Sequence, residues 1–162
     1  MTIRVVIAVV GLSCTAFVTD AAGQKPSAQT RLLPTDIEAL ATTSAGAGTS
    51  GAAGIRTSVL AGNPAAAGPY TIALRVPAHT RIAAHSHRDA RSATVVSGTW
   101  WFGYGPKVSV ASLRPLPPGS FYTEPADVPH FARTGTQPVV VYITGVGPTD
   151  TQYVDIDHDP AG

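Results

Sequence analysis

The chain has 162 residues, a formal net charge of +1, 44% hydrophobic residues and 13% charged residues. That length is one domain by the usual size prior, and the apolar content is enough for a packed core, which excludes a wholly disordered chain. With a charge near zero and no basic stripe or run, neither nucleic acid nor an anionic membrane surface is expected as a partner.

Residues 1–23 read as a secretory signal. Arg4 supplies the positive start, Val5 to Val18 is apolar apart from Ser13, Cys14 and Thr15, and Ala21-Ala22-Gly23 places small residues before Gln24. The apolar run is too short for a comfortable membrane span, so a secreted or periplasmic protein without one is expected. The only cysteine, Cys14, lies inside this signal, and cleavage after Gly23 leaves no thiol chemistry. Lipidation at Cys14 is the competing way for such a signal to end, although Gly11 stands where those sites usually carry leucine. Residues 24–54 read as a connector. Thr35-Asp36-Ile37-Glu38 has the capping form of a short helix before Ala39-Leu40-Ala41, and Thr42 to Gly54, all small and polar residues, is expected to be a flexible linker.

From Ile55 the chain turns to short runs of β-formers punctuated by Gly and Pro. Strands are expected at Thr57–Leu60, Tyr70–Val76, Arg81–His87, Ala93–Val96, Thr99–Tyr104, Phe121–Glu124, His130–Arg133, Val139–Thr144 and Gln152–Ile156. Ser97-Gly98 between β-formers is a hairpin signal. Short strands at regular spacing without long helices predict an all-β sandwich or barrel over 55–157, with 158–162 as a polar tail. Closure removes exposed edges and favours a barrel. Trp100, Phe102 and Tyr104 alternate along one strand face, for core packing or a contact between two copies in a homodimer, while Trp101 faces the other side and needs a partner of its own.

His85 and His87 flank one residue, so on a strand both imidazoles project from one wall. His130 can join them if the chain folds back, and three imidazoles cover one face of a zinc, copper, nickel or non-haem iron ion. His79, beside a Pro-Ala turn, and His158, in the tail, are expected at the surface. Around the three central histidines the sequence resembles the two motifs of the cupin superfamily, small antiparallel barrels of jelly-roll type that often hold one metal. The first runs Gly, five residues, His-x-His, three or four residues, Glu, six residues, Gly; here His79, His85, His87, Arg91 and Gly98 stand at those places. The second runs Gly, five residues, Pro-x-Gly, two residues, His, three residues, Asn; here Gly119, Pro125, Asp127, His130 and Thr134 do. Six of the ten positions match, including all three histidines.

The departures bear on function. His79 and Asp127 replace turn glycines, and such residues tolerate positive φ better than most. Arg91 replaces the family's metal-binding glutamate, and a guanidinium donates only, so it cannot ligate a metal. Three arrangements are open. Arg91 turns outward to Asp89 and leaves a three-histidine site; Asp89 or Glu124 supplies the missing carboxylate; or Arg91 and the imidazoles bind an anionic small molecule with no metal. Asp89 by itself reads as a solvated loop residue. Tyr122 and Glu124 share one face of their strand.

With the signal read at residues 1–23, the resemblance implies a cupin, here exported, that binds a divalent transition metal (Mn, Fe, Zn, Ni or Cu) through His85, His87 and His130, with Arg91 towards a small-molecule ligand. Oxygenase, isomerase and lyase chemistry all occur on such barrels, so the reaction and any catalytic residue stay unassigned. The alternative is a metal-free, non-catalytic cupin that binds a small molecule or anion.

Overall fold

A computed structural model describes residues 29–155; the expected signal (1–23) and polar tail (158–162) lie outside the described residues. A short helix, α1 (Pro34–Ala39), precedes the strands. In one sheet β1 (Arg56–Ala61), β2 (Gly68–Val76), β9 (Val139–Gly147), β4 (Arg91–Ser97) and β7 (Phe121–Glu124) lie side by side in that order. The second sheet has the order β10 (Gln152–Tyr153), β3 (Arg81–Ser86), β8 (His130–Arg133), β5 (Trp100–Tyr104) and β6 (Arg114–Leu116). Every pairing is antiparallel. The all-β architecture expected from the strand rhythm is found as two antiparallel sheets, which fit the jelly-roll barrel that the resemblance implies.

Alternation builds the interior. Ile72, Leu74, Val95, Val141 and Ile143 of the first sheet meet Ile82, Trp100, Phe102 and Ala132 of the second in one buried cluster. Each large apolar side chain removed from water here contributes about 1.5–3 kcal/mol. No helix of the described residues is long and apolar enough to cross a membrane.

Four local expectations change. Ser97-Gly98 is no hairpin: β4 pairs with β7 and β9, whereas β5 pairs with β6 and β8, so the turn carries the chain from one sheet to the other. Gly98 is needed there, because its φ is 73° and a Cβ would collide with the Pro138 carbonyl oxygen. The helix starts earlier than the capping pattern implies, with Pro34 in its first turn and the Asp36 carboxylate accepting from the Leu33 N–H at 2.8 Å. Arg75 ties it to the barrel through the Ile37 carbonyl (2.7 Å) and Ser58 Oγ (2.9 Å).

The stretch Thr42–Gly54, expected as a free linker, lies against the barrel instead. Thr43 bridges to Thr57, Thr49 and Ser50 are buried, and the Ser50 carbonyl accepts from Tyr153 Oη at 2.8 Å. Its small side chains allow close approach rather than freedom. The fourth change is β6, which the prolines of Arg114-Pro115-Leu116-Pro117-Pro118 conceal; as an edge strand it tolerates Pro115.

Candidate metal centre

The site begins with an irregularity. Along β3 and β8, Arg81 opposes Arg133 and Ile82 opposes Ala132, but His85 opposes His130. Ala83 and Ala84 therefore share a single partner position, a β-bulge. In a regular strand His85, four residues beyond Arg81, would share its outward face. The bulge turns it in, and the Ala83 carbonyl at the bulge accepts from His85 Nδ1 at 2.8 Å.

His87 and His130 are oriented the same way. Nδ1 of His87 meets the Asp150 carbonyl at 2.5 Å, and Nδ1 of His130 meets the Val128 carbonyl at 3.2 Å. A carbonyl only accepts, so each Nδ1 carries the hydrogen and each Nε2 keeps its lone pair, the arrangement that presents imidazoles to a metal. All three rings are buried, and their ligand atoms lie within 4.8 Å of one another. Nε2 of His130 is buried without a hydrogen-bond partner. Such an orphan is costly unless something fills the space before it. These three residues could hold a metal ion.

The Arg91 position is the main correction. Arg91 does not turn outward to Asp89. It opens β4 in register with Glu124 of β7, and both are buried. Arg91 Nε donates to Glu124 Oε2 at 2.6 Å, and Nη2 both pairs with the same oxygen and donates to His87 Nε2 at 2.5 Å. Glu124 in turn lies 3.8 Å from Nε2 of both His87 and His130. The parity shared by Tyr122 and Glu124 is observed, with both pointing inward. The acid that the sequence offered as one of two substitutes is therefore at the histidines.

Asp89, expected in solvent, is buried. It accepts from Tyr70 Oη (2.8 Å) and Thr149 Oγ1 (2.5 Å). Gly145 makes room for it, since a Cβ there would stand 2.5 Å from Asp89 Oδ2 and 2.7 Å from Tyr70 Oη. Through Thr149 this cluster holds the turn whose next residue, Asp150, receives His87. The Asp150 carboxylate fixes the turn from the outside by accepting from the Arg88 N–H and Nε, each at 2.8 Å.

The electrostatics follow from burial. Burial, then the neighbouring His130, lowers the His85 pKa to about 3; burial, then the Arg91 charge, lowers His87 to about 2. Burial also lowers His130. All three imidazoles are neutral at pH 7, as metal ligands must be. Burial alone would raise the Glu124 carboxyl, but the Arg91 guanidinium outweighs it and holds the group well below its usual range. Burial and the Asp89 carboxylate raise Tyr70 to about 12, although Thr149 and Arg91 act the other way.

Two turns match the sequence reading. His79 and Asp127 have φ of 58° and 60°, and Asp127 N–H donates to the His87 carbonyl at 2.8 Å. His79 is exposed, as expected, and His158 lies outside the described residues. Thr134, at the family's asparagine position, accepts from the Thr80 N–H (2.8 Å) and donates to the Pro77 carbonyl (2.7 Å). The aromatic strand divides. Trp100 and Phe102 are buried while Tyr104 is half exposed, and the Arg133 guanidinium lies 4.7 Å from the centre of the Trp101 ring. Phe102 stacks on His130 with centroids 5.3 Å apart and contacts Tyr122 at 4.3 Å. Phe102 and Tyr122 also line a cavity of about 380 Å³ that reaches the surface beside Tyr104, Arg114 and Phe121. Sequence reasoning missed Asp150 and Thr149, because one acts through its backbone and the other through a long-range contact.

No protein-family model matches the chain, and no curated protein does. Solved structures do. The polyketide cyclase RemF from Streptomyces resistomycificus is 18% identical over 82% of this chain and 89% of its own, with a TM-score of 0.65. An RmlC-like cupin from Shewanella frigidimarina is 16% identical over 74% of this chain and 92% of its own, at 0.54. A sugar phosphate isomerase of the cupin superfamily from Silicibacter pomeroyi is 15% identical over 75% and 82%, at 0.55. These likenesses concern the barrel rather than the reaction. With two packed antiparallel sheets and three buried histidines on and just beyond β3 and on β8, this chain has the cupin fold.

Proposed function

We propose that this barrel binds a divalent transition metal through Nε2 of His85, His87 and His130, with Glu124 supplying the carboxylate that Arg91 cannot, and that it acts on or holds a small molecule. The observation that carries this reading is the common orientation of the three imidazoles, each pinned through Nδ1 to a backbone carbonyl. A bound metal would supply Lewis-acid or redox chemistry. The protein's own part is to keep the imidazoles neutral, to keep Glu124 ionised beside Arg91, and to seat a ligand against Phe102 and Tyr122. The neighbours include a cyclase and an isomerase, so the reaction class stays open between metal-assisted isomerase, lyase and oxygenase types.

One observation favours a second reading. The Arg91 guanidinium already donates to His87 Nε2 and to Glu124, so the protein's own cation stands where a metal would draw its ligands. If that pairing never opens, a metal-free, non-catalytic barrel that binds a small molecule follows; an anion would have to displace Glu124 from the guanidinium. Titration of the purified chain with manganese, iron(II), zinc, nickel and copper, with metal content measured after dialysis, separates the two. Near-stoichiometric retention lost in His130→Ala supports the metal reading, and no retention of any ion sinks it.

The charged start, apolar run and small-residue site of residues 1–23 support export to the periplasm or medium, with no nucleic-acid partner for a chain of charge +1. Intact mass of the envelope-derived protein tests export: a start at Gln24 is expected, and retained Met1 or a lipidated Cys14 contradicts it. The half-exposed Tyr104 leaves a homodimer to be tested by light scattering, where monomer mass at high concentration removes it.

A further inference from the structure

A second concave region lies on the outer face of the sheet that carries the histidines. β3 and β8 form its floor through Ala83 and Phe131, and the segment leading into β6 forms its wall through Val108, Val110 and Leu113; it encloses about 460 Å³. The floor is fixed. Phe131 is buried, and a Cβ on Gly103 would come within 2.7 Å of its ring. The wall faces solvent, with Val108 and Val110 60% and 78% exposed.

At the edge of this apolar groove stand Arg81 and Arg133, directly opposite each other across the strand pair. Like charges directly opposite each other repel and are destabilising. Among the described residues neither arginine makes an ion pair and no acidic residue lines the groove. Arg133 is held by the Trp101 ring, and its Nε is buried without a hydrogen-bond partner. Two adjacent guanidiniums beside an apolar hollow match one ligand chemistry, a compact anion on an apolar body. The geometry points to a binding site for a free amphipathic monocarboxylate, its head on Arg81 and Arg133 and its chain over Phe131, Val110 and Leu113. A second copy of this chain fits less well, since a two-fold contact here would bring four guanidiniums together with no acid among the lining residues. The site is separate from the histidines, which project from the opposite face of the same strands.

Octanoate titrated into the full chain, followed by calorimetry and by tryptophan fluorescence, tests the assignment. Saturable one-to-one binding is expected, with octanol, of the same chain length and no charge, weaker by about tenfold or more. Arg81 is exposed, so Arg81→Gln leaves the fold standing and should weaken octanoate by about tenfold, as should Arg133→Gln. Val110→Asp should abolish binding, and His130→Ala should leave it unchanged. Equal affinity for octanol, or no saturable binding, overturns the assignment. So does binding that survives Arg81→Gln but disappears in His130→Ala, which would put the anion inside the barrel. A dimer that Val110→Asp dissociates would show that a second copy covers the groove and would equally overturn it.

Discussion

Replacing Arg91 by methionine removes the guanidinium and keeps most of the side-chain volume. Two effects of opposite sign follow. In the metal-free protein Glu124 is left buried without its partner, and breaking one side of a buried ion pair costs about 3–5 kcal/mol of stability. For metal binding the change is favourable. An ion about 2.1 Å from His87 Nε2, as zinc–imidazole bonds require, would sit no farther than about 4.6 Å from the Arg91 nitrogen now 2.5 Å from that atom. A double charge and a single charge at that distance repel by about 7 kcal/mol at an effective dielectric of about 20. The arginine side chain can swing aside and recover much of this, so a net gain of about 3 kcal/mol, or roughly 100-fold in affinity, is the expected scale. Calorimetric titration with zinc and manganese reads the affinity, and urea unfolding with and without metal reads the stability. Arg91→Met should therefore be less stable than the parent without metal and gain more from adding it. If it binds no ion more tightly than the parent does, the guanidinium is not competing with a metal and the reasoning fails.

Three further outcomes are expected. His130→Ala should abolish metal retention while costing the metal-free fold only its packing and the Nδ1 contact with the Val128 carbonyl, because its Nε2 has no partner to lose; retained stoichiometric metal would contradict this. The metal-free protein should weaken in acid unusually early. His85 and His87 stay neutral in the fold down to about 3 and about 2, whereas unfolded histidines protonate near 6.5, so the unfolded chain takes up protons first. Stability then falls as pH drops below about 6.5, by up to about 1.4 kcal/mol per pH unit for each imidazole, and a urea midpoint flat between pH 6.5 and 4.5 would refute it. Gly145→Ala should cost about 1–3 kcal/mol, since its Cβ meets Asp89 and Tyr70 below contact distance, with thermal unfolding as the check.

The sequence made the histidines legible because strand parity and motif spacing are local. The same holds for the left-handed turns at His79 and Asp127 and for the strand face that Tyr122 shares with Glu124, though not for its pointing inward. What it concealed depends on partners distant in sequence. Whether Arg91 faces in or out is decided by Glu124, 33 residues away, which offers a buried counter-charge across a strand pair. The apparent exposure of Asp89 is reversed by Tyr70 and Thr149 in the same manner. The carbonyls that orient the imidazoles carry no residue signature at all. Thr42–Gly54 looks like a tether because its composition cannot form a core, yet it packs by lying on one.

The two alanines that share a position in β3 put that strand out of phase with itself. Upstream of them it offers Arg81 to the outside; downstream it offers His85 to the inside. Deleting either alanine would restore plain alternation, and His85 would still come out opposite His130. What would go is the local kink, and with it the setting in which the Ala83 carbonyl turns aside to take the hydrogen of His85 Nδ1. The shortened strand would keep all three rings and lose the lock on one of them, leaving that ring free to present either nitrogen. The spare residue thus sets the hand in which an imidazole is dealt to the interior, a task that neither alanine's side chain performs.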